Sequence, residues 1–121
     1  MSYERDLSIF AELEAEVKLK RDRLAFRIDT RVVQETPVDT SQARSNWIVS
    51  QNRSIDMAIG NIGPSAAISN GAVAIRGSKA FCELFISNNM PYIERLNEGW
   101  SQQAPTKYID RIIEQEVAKS E

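Results

Sequence analysis

From about Leu7 to Glu35 the chain contains neither proline nor glycine and is built mostly from Glu, Lys, Arg, Ala and Leu. These are good helix formers, so the stretch predicts one uninterrupted helix over about 7–35. Leu7, Phe10, Leu13, Val17, Leu24, Ile28 and Val32 recur at steps of three, four or seven and fall on one helical stripe. At ~1.5 Å per residue the helix spans on the order of 40 Å, long for a chain of 121 residues. Part of it must project or pack against another molecule. Ser8 is a suitable N-cap, with a start one turn earlier left open. Pro37 ends the helix, because proline disfavours the α conformation at Thr36 and donates no amide.

The stripe is weakest at "KLKRDR", Lys18 to Arg23. Charge runs on helices are usually solvated faces. The sharper alternative is a basic surface for DNA or an acidic partner, which the interleaved Glu14, Glu16 and Asp22 weaken.

The length fits a single domain, 1–121. Hydrophobic residues at 42% and charged residues at 26% predict a folded chain. No apolar run approaches the ~20 residues of a membrane helix, and the N-terminus alternates acid and base, so a cytosolic origin without membrane contact is expected. Histidine is absent and cysteine occurs once. This removes imidazole base chemistry, Ser-His and Cys-His nucleophiles and the usual zinc sets. We expect no catalytic residue, metal or cofactor. Cys82, flanked by apolar residues in "KAFCELFIS", reads as a small buried hydrophobe. The net charge of -2 gives no whole-chain drive toward nucleic acid.

After Pro37, Asp39 and Gln42 have capping-box spacing, giving either a single helical turn or an Asx-type loop. "NWIVSQN" and "SIDMAIGNI" read as strands joined through a hairpin at "QNRS", with Ile55, Met57 and Ile59 on one face. Trp47, inside the first pattern, is expected in the core. "KAFCELFIS" is predicted as a third strand, central because both of its faces are apolar. Between them, Ser65 to Gly77 is ambiguous. Its Asn-Gly flanked by apolar alternation signals a hairpin, whereas Ala67, Ile68, Gly71, Ala72 and Ile75 are spaced for a helix after Pro64. Local rules lean slightly to the hairpin. Tyr108, Ile109, Ile112, Ile113 and Val117 predict an amphipathic C-terminal helix over about 106–119, with Thr106 as its N-cap after Pro105.

The segment between the last strand and that helix, "NNMPYIERLNEGWSQQAP", fits neither a clean helix nor a strand beyond one helical turn at "PYIERLNEG". Tyr92 and Trp100 are residue types that anchor interfaces. Asn88, Asn89, Gln102 and Gln103 can bond a neighbour's backbone without the desolvation cost of charge. Gly99 allows the chain to turn before Trp100. Packing of the turn onto the sheet is the competing reading; it is preferred for Leu96 and evenly matched for Trp100.

"ETPVDTSQARSNW" and "ISNNMPYIERLNEGWSQQAP" resemble two motifs of phage tail-completion proteins, also called head-tail joining or minor tail components, of long-tailed phages. The resemblance covers about two thirds of the chain. Asn88, Asn89, Pro91, Tyr92, Leu96, Gly99, Ser101, Gln103, Ala104 and Pro105 match the second motif. Ser41 stands where glycine is usual and Gln42 where arginine is common, leaving Arg44 as the basic residue of that loop. The resemblance implies a helix over 65–77, and so an α+β fold: a long N-terminal helix, a small antiparallel sheet of three to four strands with an inserted helix over about 45–88, a loop over 88–105 and a C-terminal helix. It also implies a non-enzymatic virion protein, assembled in the host cytoplasm, forming a ring expected at six copies at the head-proximal end of the tail. Its implied partners are itself, the tail tube or tail terminator, and head-tail connector proteins, with DNA met only by passage through the lumen. Asp39, Thr40, Arg44, Asn88, Asn89, Tyr92, Trp100, Gln102 and Gln103 are the expected interface residues, and Pro37, Gly99 and Pro105 shape the loops. The alternatives are a tail terminator or head-closure protein, a small DNA-binding regulator, and, least favoured, an enzyme using Asp39, Thr40 and Arg44.

Overall fold

The computed structural model describes residues 3–37, 41–99 and 104–120, with side chains from Ile9 onward outside Ser41. Helix α1 runs Tyr3–Glu35, α2 is the single turn Ser41–Ser45, and strand β1 is Trp47–Gln51. They are followed by α3, Pro64–Arg76, strand β2, Leu84–Asn88, the turn α4, Ile93–Asn97, and α5, Tyr108–Ser120. The fold is a mixture of helix and antiparallel sheet.

Helix α1 starts a turn before Ser8, which lies inside it, and stops at Glu35 ahead of Pro37. Its 33 residues span about 50 Å at the usual rise. The C-terminal half of α1 carries the core. Val32 and Val33 pack with Trp47, Ala67, Tyr108 and Ile112, and Ala25 packs with Val49 and Ile75. Helix α5 lies antiparallel along this half, since Tyr108 reaches Thr36 and Glu116 reaches Arg27.

Among the described residues the sheet has two strands, not three or four. β1 pairs antiparallel with β2, Trp47 opposite Asn88 and Gln51 opposite Leu84. The hairpin expected between 47–51 and 54–62 does not form. Residues 54–63 contain no strand, and β1 finds its partner more than thirty residues later because Leu84 and Ile86 complete the apolar face begun by Val49 and Trp47. β2 is shorter than "KAFCELFIS" and half-buried throughout, with a single strand neighbour instead of a central place.

The ambiguous 65–77 segment is helical. Pro64 opens α3 after Gly63, whose φ of 85° suits glycine. Ser45 Oγ accepts from the amides of Ile62 at 3.1 Å and Gly63 at 2.9 Å, orienting the entry to α3. A helix buries Ala67, Gly71 and Ile75 on one face against α1; a hairpin would have divided them between two faces.

α5 begins at Tyr108, so Thr106 is not its cap. That role passes to Asn97 of α4, whose Oδ1 accepts from the amide of Ile109 at 2.9 Å and whose carbonyl accepts from Lys107 N. The buried face of α5 is Tyr108, Ile112 and Glu116, leaving Ile113 and Val117 exposed at 42% and 38%.

Candidate functional site

The N-terminal half of α1 leaves large apolar side chains uncovered. Ile9, Phe10, Leu13 and Leu19 are each 50–54% exposed. The Phe81 ring meets this stretch at a tilt of 43°, its centroid 5.8 Å from that of Phe10. Beside them runs an open groove lined by Ala11, Ala15, Lys18, Phe81 and Cys82. Cys82 is half-buried at its wall and not enclosed in the core.

The basic run on α1 is divided: Lys20 and Arg23 are exposed, as a solvated face would be, whereas Lys18 and Arg21 turn onto the chain itself. Lys18 Nζ donates to the carbonyls of Ile75 at 3.5 Å and Arg76 at 3.3 Å, placing a cation at the C-terminus of α3. Arg21 donates to the carbonyls of Lys79 at 2.5 Å, Ala80 at 3.3 Å and Cys82 at 2.9 Å, and to Ser78 Oγ at 2.5 Å. Asp22 bridges the two cations, at 2.5 Å from Lys18 and 2.8 Å from Arg21. Burial pushes the Asp22 carboxyl up, but the hydrogen bonds from Lys18 and Arg21 outweigh it and hold it below its ordinary value. Lys20, paired with Glu16 at 3.2 Å, does point to solvent.

The expected interface residues divide into three groups. Asp39, Thr40, Trp100, Gln102 and Gln103 lie outside the described residues. Arg44, Asn88 and Asn89 bond this chain's own backbone. Arg44 closes the C-terminus of α1, donating to Thr36 O and Gln34 O at 2.7 Å each. Asn88 Nδ2 donates to Ala43 O at 2.8 Å while its Oδ1 accepts from Met90 N at 3.1 Å, and Asn89 Nδ2 donates to Ile55 O. Tyr92 is half-buried ahead of α4, Pro37 is buried, and Pro105 is exposed. Gly99 has φ 95° and lies where a Cβ would run into Thr106 Oγ1, so the turn requires glycine twice over. Leu96 packs against the main core, as expected. So does Trp47, whose Nε1 donates to Thr36 Oγ1 at 2.8 Å, beside the Tyr108 hydroxyl. Burial raises the Tyr108 phenol, with the Thr36 hydrogen bond acting the other way.

Two buried carboxyls carry no sequence signal. Glu116 on α5 is met by Arg27 at 3.0 Å, Arg31 at 3.0 Å and Lys119 at 3.2 Å, and these partners, Arg31 first, lower its pKa against the effect of burial. Asp29 on α1 is fully buried, and among the described residues neither oxygen has a hydrogen-bond partner; the neighbouring Thr30 hydroxyl likewise has none among them. Asp29 sits over Gly71 of α3, where any Cβ would collide with its Oδ2, and beside Val49 of β1. β1 and β2 contain no ionisable residue and α3 only Arg76, which is exposed. Burial alone therefore pushes the Asp29 carboxyl up to about 7. A glycine at helical spacing to Ala67 and Ile75 marks a close helix approach; nothing in the sequence says that an acid fills it.

Among the described residues no group of His, Cys, Asp or Glu could hold a metal ion, and no helix is long and apolar enough to cross a membrane. Comparison with protein-family models, curated proteins and solved structures finds no match.

Proposed function

We propose that the chain is a structural subunit of a phage neck, self-assembling into a ring at the head-proximal end of the tail and joining tail to head. The observation that carries this reading is the exposed apolar half of α1, with Ile9, Phe10, Leu13 and Leu19 about half exposed, which a lone small protein has no reason to keep. A cyclic ring needs two unlike surfaces on each subunit. The uncovered α1 supplies one, and the 88–105 segment with its tail-completion resemblance supplies the other. The DNA-binding alternative loses its main support, because Lys18 and Arg21 are bonded to α3 and the loop after it.

The test is a complementation assay in which Phe10→Asp with Leu13→Asp replaces the wild-type chain during particle assembly. The reading expects retained helix content by circular dichroism, loss of rings in electron micrographs, and heads and tails that stay separate. Normal joined particles from the variant, or from particles lacking the polypeptide, would overturn it.

A further inference from the structure

Residues 54–63 carry a strand pattern and run without a turn or bend, yet residues 53–60 make no backbone-to-backbone hydrogen bond among the described residues. Side chains hold the segment instead. Asn46 grips Ile59 at two points, its Oδ1 accepting from Ile59 N at 2.6 Å and its Nδ2 donating to Ile59 O at 3.0 Å. One amide can hold both groups only if they point the same way, as they do in extended backbone. Ile55 O is held from the same body by Asn89 and by Ser87 Oγ at 3.4 Å.

In extended chain the backbone groups of alternate residues point to opposite edges. The carbonyl of Ile55 and both groups of Ile59 face the protein body, so Asp56 and Ala58 present their N–H and C=O groups to the outer edge, where both residues are exposed and Met57 between them is 65% exposed. This is a strand edge lacking its partner.

We infer that this edge pairs antiparallel with the same segment of a second copy, about a twofold axis at Met57. The residue pattern selects both partner and register. Centred on Met57, Ile55 falls opposite Ile59 of the partner, Asp56 opposite Ala58, and Met57 opposite itself, so apolar meets apolar and no like charges face each other. Centring on Asp56 would oppose two carboxylates, and centring on Ala58 would set Ile55 against Asn61. In the Met57 register Asp56 and Ala58 exchange both hydrogen bonds with their opposites, using the groups left free. The contact is isologous, so it joins copies in pairs and stands apart from any head-to-tail ring contact.

The test uses the purified full chain. Sedimentation of the wild type should show a dimer that weakens at least about tenfold in Ala58→Pro, which removes one outward amide from each partner without touching an internal bond. In a Cys82→Ser background, Met57→Cys should form a disulfide-linked dimer on mild oxidation, since directly opposed non-hydrogen-bonded positions have Cα atoms about 4.5 Å apart. Asp56→Cys should cross-link much more slowly. A wild-type monomer at high concentration, equal cross-linking at both positions, or an oligomer indifferent to Ala58→Pro would each overturn the pairing. A dimer lost in Ala58→Pro while rings persist would support the pairing as a contact separate from the ring, and a dimer unchanged in Ala58→Pro would overturn the pairing while leaving the neck reading intact.

Discussion

Asp29 and Glu116 are both buried acids at the flanks of α1, and they are handled in opposite ways. Glu116 arrives on α5 among three cations, so its charge is retained. Asp29 is pressed onto Gly71 with no hydrogen-bond donor among the described residues, so it holds its proton up to about pH 7. The difference teaches that burial does not set the charge state of an acid; the elements that bury it do. α5 brings cations to α1, while β1 and β2 bring none and α3 brings only the exposed Arg76.

The comparison can be broken most forcefully at Asp29. Its folded pKa of about 7 lies above the ordinary 3.8. The folded state therefore keeps a proton that the unfolded chain releases, and stability should fall as pH rises from about 4 to 7 and level off beyond. Linkage at ~1.4 kcal/mol per pH unit puts that loss at no more than about 4 kcal/mol. Asp29→Asn should remove this slope, as read by urea unfolding of both proteins across that pH range; parallel curves would refute it. Next in size, Gly71→Ala should cost about 1–3 kcal/mol by overpacking, and a double-mutant cycle with Asp29→Ala should recover most of it. Failure to couple would mean that the two residues do not touch.

Glu116→Gln should have a smaller effect with the opposite pH trend. Because the Glu116 pKa is lowered, its contribution is present above its ordinary value of 4.5 and is lost as pH falls through the folded value. Thermal midpoints of wild type and variant should accordingly differ at pH 7 and converge in acid. The smallest effect belongs to Lys18→Gln, about 0.3–1 kcal/mol from losing a cation at the end of α3. Hydrogen exchange in the last turn of α3 should report it, with added salt reducing the difference.

Much of the helical content was legible in the chain itself. The absence of proline and glycine before Pro37 and the recurrence of Leu24, Ile28 and Val32 placed α1, while its length called for an uncovered part without saying which. Tyr108 and Ile112 placed α5, although Glu116 displaced Val117 from its buried face because α1 offers arginines there. The sheet was less legible. The pattern of 54–62 is that of a strand, but a pattern does not name a partner, and β1 took β2. Of the candidate interface, the resemblance drew attention to Arg44, Asn88 and Asn89 without indicating that each bonds backbone of its own chain.

By itself the sequence determined periodicity: where helices run, which residues form an apolar stripe, where proline and glycine break the chain, and which chemistry is impossible without histidine. Tertiary structure alone decided pairing: which strand β1 meets, which carbonyls Lys18 and Arg21 reach, and which acid keeps its proton. Periodicity is a property of neighbours along the chain, whereas a partner is chosen among groups many residues apart by the free energy of burying them together.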